Sequence, residues 1–181
     1  MRLPEAYLRD ILSHAQEGKP NEVCGLIAGH DGHAIKLYRT TNNDPTPRVR
    51  YNVDPLELLH ALREMERNGW SLMAIYHSHP ATEAYPSATD IGLAYYPESV
   101  YMIVSLADAE SPVARAFRIA DGQVREEPLE IDKQDLQTPP AEEHAPEGSS
   151  AVNRLSRAAA NATSRVAASF RKRRAAQNTE Q

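Results

Sequence analysis

Cysteine is almost absent from this 181-residue chain, in which Cys24 is the single example. One thiol cannot form an intramolecular disulfide. The N-terminus also lacks a basic segment followed by an apolar run and a cleavage site. No run of about 18 apolar residues occurs anywhere, so a membrane-spanning helix is excluded on length. We therefore expect a cytoplasmic protein with no membrane span.

The chain also lacks a basic excess, since its 20 Lys and Arg residues face 25 Asp and Glu residues for a net charge of −5. The charge is unevenly distributed: residues 138–181 hold seven basic and four acidic residues, which leaves 13 basic and 21 acidic residues before them. An acidic domain repels phosphate groups. We therefore expect no nucleic-acid binding by the first part of the chain.

The length suits one domain with a hydrophobic core and a tail, and the composition changes near residue 136. We predict a domain over residues 1–136 and a low-complexity Ala/Ser/Arg-rich tail over residues 137–181, which is disordered or partly helical. The basic residues of this tail suit an acidic partner, nucleic acid or an anionic membrane surface, or they are simply solvated. The sequence leaves these alternatives open.

The apolar pattern predicts an α/β domain. Amphipathic spacing predicts helices over residues 4–16 and from Asp54 to about residue 68, and a capping sequence at Ser87 predicts a third helix through residue 95. Apolar or alternating runs bounded by turn residues predict strands over residues 23–28, 34–39, 72–76, 100–106, 113–119 and 124–131. The third of these strands leads directly into a histidine pair, which places candidate chemistry at a strand end.

Two histidines and one aspartate form a candidate metal site. His77 and His79 are two residues apart on an extended segment, so their side chains project from the same face. Asp90 follows a loop long enough to reverse direction, and it occupies the third position of the predicted helix. Two imidazoles and one carboxylate leave the fourth position of a zinc ion open, which is typical of catalytic sites.

These side chains also have simpler interpretations. Ser87 is a favourable N-cap and Asp90 a favourable third-position acid, so both could serve only to cap the helix. Cys24 has no evident base beside it and is predicted to be a small buried residue on its strand, not a nucleophile.

The full pattern resembles the JAMM (MPN+) metallopeptidase family, whose motif is an early glutamate, then His-x-His, ten residues and Asp. Those positions are Glu22, His77, His79 and Asp90 here, and Ser87 matches the serine of the family. The resemblance implies an MPN domain, with a curved mixed β-sheet flanked by helices. It also implies a Zn²⁺ ion held by the two histidines and the aspartate, with Glu22 as catalytic base and Ser87 as donor to the oxyanion.

Within the family, residues 77–94 and 117–128 are most similar to members that release cysteine from the C-terminal glycine of a ubiquitin-like sulfur carrier protein. That similarity implies a carrier with a diglycine C-terminus as the substrate and a role in cysteine biosynthesis. Arg48 or Arg50 could bind the carboxylate of the product, or could be solvated loop charges. Two alternatives remain open: a deubiquitinase-like isopeptidase acting on lysine conjugates, and a non-catalytic MPN scaffold.

Overall fold

The computed structural model describes residues 1–133, and within that range it contains eight strands and three helices. In chain order these are β1 (Arg2–Pro4), α1 (Glu5–Gly18), β2 (Cys24–His30), β3 (His33–Thr40), α2 (Pro55–Arg67), β4 (Ser71–His79), α3 (Ala88–Gly92), β5 (Val100–Ser105), β6 (Val113–Ala120), β7 (Gln123–Glu127) and β8 (Glu130–Asp132).

All eight strands form one mixed sheet in the order β7-β6-β5-β4-β2-β3-β1-β8. The neighbours β4 and β5 run parallel, as do β1 with β3 and with β8, while the other pairs are antiparallel. Register shifts interrupt the pairing of β2 with both of its neighbours. Such bulges bend the strand, which accords with a curved sheet.

The helices cover the two faces of this sheet. Ile11 and Ala15 of α1 belong to the apolar core on one face, and Ala61 and Met65 of α2 belong to the core on the other. Residues of β4 alternate between these cores, with Tyr76 on the α1 side. Both faces of the central strand are therefore buried.

The structure differs from the sequence prediction at three elements. Strand β1 was not predicted, and α3 ends at Gly92 instead of residue 95. The run predicted as one strand over residues 124–131 is divided into β7 and β8, which lie at opposite edges of the sheet. Pro128 falls between them, and its missing N–H cannot continue a strand ladder.

The predicted domain boundary near residue 136 and the tail over residues 137–181 lie outside the described residues. Within residues 1–133, no helix is long and apolar enough to cross a membrane.

Candidate metal centre and active site

Strand β4 carries both candidate histidines. It extends to His79, beyond the end predicted from the sequence, so His77 and His79 are strand residues whose side chains share one face. Both are buried, and Ile75 on the same strand face belongs to the core beneath α2. The histidines therefore project toward the side of the sheet that carries α2 and α3.

Helix α3 brings Asp90 to this face. The Ser87 side chain accepts a hydrogen bond from the Asp90 N–H at 3.2 Å, and Asp90 Oδ2 accepts one from the Ser87 N–H at 2.7 Å. This reciprocal pair is a capping box, which satisfies two backbone donors at the helix start. The carboxylate has two oxygens, so capping through Oδ2 leaves Oδ1 available to a cation. Capping and metal binding are thus compatible roles for Asp90.

The three candidate ligands surround a common point. The Nε2 atoms of His77 and His79 lie 3.0 Å apart. His77 Nε2 lies 3.6 Å from Asp90 Oδ1, and His79 Nε2 lies 3.5 Å from Asp90 Oδ2. Ligand atoms about 2.0–2.1 Å from a tetrahedral zinc ion would be separated by about 3.3 Å. The donor set and its spacing therefore fit a Zn²⁺-sized cation.

A backbone carbonyl fixes the tautomer of the neutral His79 imidazole. Its Nδ1 lies 2.8 Å from the carbonyl oxygen of Glu83, which can only accept a hydrogen bond. A hydrogen must then be on Nδ1, so the neutral imidazole presents the lone pair of Nε2 to the site. A second partner of this kind orients the metal-binding histidines of many proteins.

His77 has a different neighbour. Its Nδ1 is buried without a hydrogen-bond partner among residues 1–133, and the Tyr51 ring stacks on the imidazole with centroids 4.3 Å apart and planes inclined by 19°. Ring stacking therefore restricts the orientation of the His77 ring, whereas a hydrogen bond restricts that of the His79 ring.

Glu22 lies level with His79. The antiparallel pairing of β2 with β4 places Cys24 opposite His77, and Val23 exchanges hydrogen bonds with Ser78. Continuing this register by one residue brings Glu22 to His79. The Glu22 side chain is 7% exposed, and its Oε2 has no hydrogen-bond partner among the described residues. A buried carboxylate oxygen thus remains free beside the candidate metal ligands.

Burial separates the acidities of the two carboxylates. Desolvation raises the pKa of Glu22 from 4.5 to about 7, although His79 opposes this shift when its ring is protonated. Burial also disfavours the charged form of Asp90, but the neighbouring His77 and His79 imidazoles hold the pKa of its carboxyl well below the usual range. One carboxylate is therefore poised to exchange a proton near neutral pH, and the other stays ionised.

The raised pKa of Glu22 predicts a pH-dependent stability difference in protein stripped of metal by a chelator. A carboxyl with a pKa of about 7 when folded and 4.5 when unfolded binds more protons in the folded state, so stability falls as pH rises between these values. Glu22→Gln is then expected to stabilise the metal-free protein by about 1–2 kcal/mol at pH 8, after allowance for partial solvation of the carboxylate.

Urea unfolding at two pH values measures this difference. At pH 4 the carboxyl is mostly protonated in both states, and the Glu22→Gln variant should nearly match the unsubstituted protein. The exposed Glu98, changed to Gln, provides the control and should show no such pH-dependent gain. Equal stability of Glu22→Gln and the unsubstituted protein at both pH values would contradict the desolvation of Glu22.

The structure also locates the other residues considered from the sequence. Ser87 is exposed, and its oxygen accepts the Asp90 N–H, so its hydroxyl hydrogen can still be donated. Cys24 is fully buried, and desolvation raises the pKa of its thiol to about 12, which disfavours a nucleophilic thiolate. Arg48 is exposed, whereas Arg50 is half-buried, with an enclosed Nε that has no partner among residues 1–133.

Two residues that contact the site were not predicted. Tyr51 stacks on His77, and Asn42 donates a hydrogen bond to the backbone of Glu22. No spacing in the sequence links either residue to the histidine motif. The only sequence signal at this point is the turn-rich composition of residues 42–47, which favours a loop.

Comparison with known proteins identifies the family. The model for prokaryotic homologs of the JAB domain matches residues 4–120, more than half of the chain. The chain therefore belongs to this family, of the JAMM/MPN type. The resemblance inferred from the motif and the MPN fold implied by it are thereby confirmed.

Individual relatives agree with this assignment. The chain is 40% identical over 126 residues to the CysO-cysteine peptidase of Mycobacterium tuberculosis, spanning 68% of this chain and 86% of that protein. It is 42% identical over 101 residues to a desampylase of Haloferax volcanii, and the match spans 52% of this chain and 73% of that protein. A solution structure of a protein from Desulfitobacterium hafniense is 38% identical, with a TM-score of 0.67 over 74% of this chain and 93% of that one.

Proposed function

We propose that the chain is a zinc peptidase that hydrolyses the amide bond after the C-terminal glycine of a ubiquitin-like sulfur carrier protein and releases cysteine. The observation that carries this proposal is the convergence of His77, His79 and Asp90 beside the free carboxylate oxygen of Glu22. Similarity to the CysO-cysteine peptidase supports the choice of conjugate and a role in cysteine biosynthesis.

Each of the five side chains has a distinct task in this proposal. His77, His79 and Asp90 hold the cation, and a bound zinc ion would supply Lewis acidity and lower the pKa of a water molecule. Glu22 accepts the proton of the attacking water at its unpartnered oxygen and transfers it to the leaving amine of cysteine. The Ser87 hydroxyl donates to the oxyanion that develops on the glycine carbonyl oxygen. The products are the carrier with a glycine carboxylate and free cysteine.

The second candidate is an isopeptidase that removes a ubiquitin-like modifier from a lysine side chain. Similarity to the desampylase of Haloferax volcanii favours it. The chemistry at the scissile amide is identical in both cases, since each leaving group is a primary amine. The difference lies in the α-carboxylate, which is next to the nitrogen in a terminal cysteine and absent from that position in a lysine side chain.

A mass-spectrometric assay tests the proposal. The zinc-loaded protein is incubated separately with a carrier that ends in Gly-Gly-Cys and with the same carrier joined to a lysine side chain. We expect the first carrier to lose the mass of one cysteine residue, and Glu22→Gln protein to leave it intact. Cleavage of the lysine conjugate alone would establish the isopeptidase instead, and cleavage of neither would favour a binding scaffold.

Arg50 offers a sharper test of substrate choice. Its guanidinium has no carboxylate partner among the described residues, and its neighbour Tyr51 stacks on His77. We propose that Arg50 binds the α-carboxylate of the departing cysteine, because guanidinium groups favour this partner. Arg50→Gln should then raise KM for the Gly-Gly-Cys carrier by about tenfold, the cost of one charge-assisted hydrogen bond.

Two controls isolate the carboxylate. Arg48→Gln removes an exposed charge from the same loop and should leave KM unchanged. A carrier ending in cysteine amide lacks the carboxylate, so Arg50→Gln should not change its KM. An equal effect of Arg50→Gln on the acid and amide carriers would contradict this role.

A further inference from the structure

The loop of residues 42–53, here called the Asn42 loop, holds the backbone of Glu22. The Glu22 N–H donates to the Pro47 carbonyl at 2.7 Å, and the Asn42 Nδ2 donates to the Glu22 carbonyl at 2.8 Å. Both backbone polar groups of Glu22 therefore bind this one loop. No hydrogen bond from residues 1–133 reaches the Glu22 Oε2, so among the described residues the hydrogen bonds that locate Glu22 are those of its backbone.

The Asn42 side chain uses its full hydrogen-bonding capacity inside the protein. Its Nδ2 also donates to the Arg50 carbonyl at 3.0 Å, and its Oδ1 accepts the N–H groups of Asp44 and Asn52, each at 3.0 Å. An amide side chain offers two donors and one acceptor oxygen with two lone pairs, and all are engaged. Asn42 thus links both ends of the loop by hydrogen bonds and also joins the loop to the Glu22 backbone.

The same loop reaches the candidate metal ligands. Asn42 pairs with Val53 through an isolated β-bridge, and Tyr51 stacks on His77 between these points. The carbonyl oxygens of Glu22 and Arg50 share one amide nitrogen, which keeps them within about 6 Å of each other. The loop therefore contacts the proposed base on one side and a proposed ligand on the other.

We propose that Asn42 is a positioning residue that sets the location of Glu22 relative to the site formed by His77, His79 and Asp90. Asn42 touches neither the scissile bond nor the cation and acts through the Glu22 backbone. A displacement of about 1 Å at a reacting group can lower a rate about 10²-fold, so loss of this contact should affect the chemical step. This role rests on the proposed function of Glu22 as the base.

Asn42→Asp separates the two functions of the side chain, in which Oδ1 accepts hydrogen bonds within the loop and Nδ2 donates them to the Glu22 and Arg50 carbonyls. A carboxylate oxygen at Oδ1 still accepts from Asp44 and Asn52 and preserves the turn. The second oxygen replaces the amide nitrogen and repels the carbonyls of Glu22 and Arg50. We expect kcat to fall about 10–100-fold, with KM and zinc stoichiometry unchanged. A residue that only shapes the turn would tolerate this substitution.

Matched variants complete the kinetic test. Asn43→Ala removes the neighbouring exposed amide, whose bond to Asp54 is long at 3.4 Å, and should retain full activity. Asn42→Ala removes both sets of hydrogen bonds, and its kcat should fall at least as far as that of Asn42→Asp. If Asn42→Asp fails to fold, Asn42→Ala takes its place. In a Glu22→Gln background either Asn42 substitution should have no further effect, because its target is already disabled.

A substrate-independent measurement distinguishes failure of this role from failure of the proposed function. Hydrogen exchange by NMR reports the Glu22 N–H, whose bond to Pro47 depends on the loop. We expect exchange at least about tenfold faster in Asn42→Asp than in Asn43→Ala, in zinc-loaded and zinc-free protein alike. If Asn42→Asp leaves the exchange of the Glu22 N–H unchanged and keeps kcat within about twofold of the unsubstituted protein, the proposed role of Asn42 is wrong. If instead the unsubstituted protein cleaves neither conjugate, only the proposed function is wrong.

Discussion

Glu22→Gln is expected to reduce hydrolysis of the Gly-Gly-Cys carrier by about 10²–10⁴-fold, the usual contribution of a general base. Glutamine has the size and shape of glutamate but cannot accept a proton at neutral pH. Glu22 is not among the three residues that converge as candidate ligands, so the variant should bind zinc with unchanged stoichiometry. Single-turnover cleavage and metal analysis on the same preparation measure both quantities.

The combination of lost activity and retained metal distinguishes a base from a ligand. Glu98→Gln provides the control, since it neutralises an exposed carboxylate in the loop before β5. Loss of zinc together with activity would mean that Glu22 helps to hold the cation. Full activity of Glu22→Gln would mean that another group takes the proton of water, and the proposed mechanism would be wrong.

Removal of a candidate ligand should abolish both zinc binding and hydrolysis. His77→Ala removes one of three protein ligands and leaves too few donors for a tight site. We expect substoichiometric zinc and no detectable cleavage, while His60→Ala, on the exposed surface of α2, should behave as the unsubstituted protein. Chelation should lower the melting temperature of the unsubstituted protein but not that of His77→Ala, since bound metal stabilises only a fold that binds it.

Asp90→Asn tests the aspartate without destroying the helix cap. The amide oxygen of asparagine can still accept the Ser87 N–H, so the start of α3 should persist. The neutral amide is a weak zinc ligand, and metal affinity should fall sharply. Zinc binding and activity equal to those of the unsubstituted protein would restrict Asp90 to capping, the alternative that the sequence left open.

The local pattern was sufficient for much of the fold because the signals are short-range. Helix α2 has Asp54 as its N-cap, at the position where the sequence predicted the helix to begin. The predicted strand after it became β4, and the capping sequence at Ser87 became α3. The division between β7 and β8 was missed because β8 pairs with β1, which lies more than 120 residues earlier in the chain. Pairing over that separation leaves no local periodicity.

The candidate site shows the same contrast between short-range sequence signals and long-range contacts. The sequence alone determined the ligand types and their spacing: the strand alternation of His77 and His79, and the helix position of Asp90. The tertiary structure placed these atoms within 4.8 Å of one another, and their assignment as zinc ligands is a proposal that metal analysis will decide. It also placed Glu22 level with His79, because strand register, not sequence distance, fixes that contact.

Only the tertiary structure decided how Glu22 and His77 are held. The contacts of Asn42 and Tyr51 join residues 20 and 26 positions apart, respectively, and depend on a loop whose path is set by its own hydrogen bonds. Sequence motifs record which chemical groups are present, whereas buried hydrogen bonds and ring stacking depend on where the chain folds back on itself. The motif therefore defined the chemistry, and the fold determined the positions of the groups that perform it.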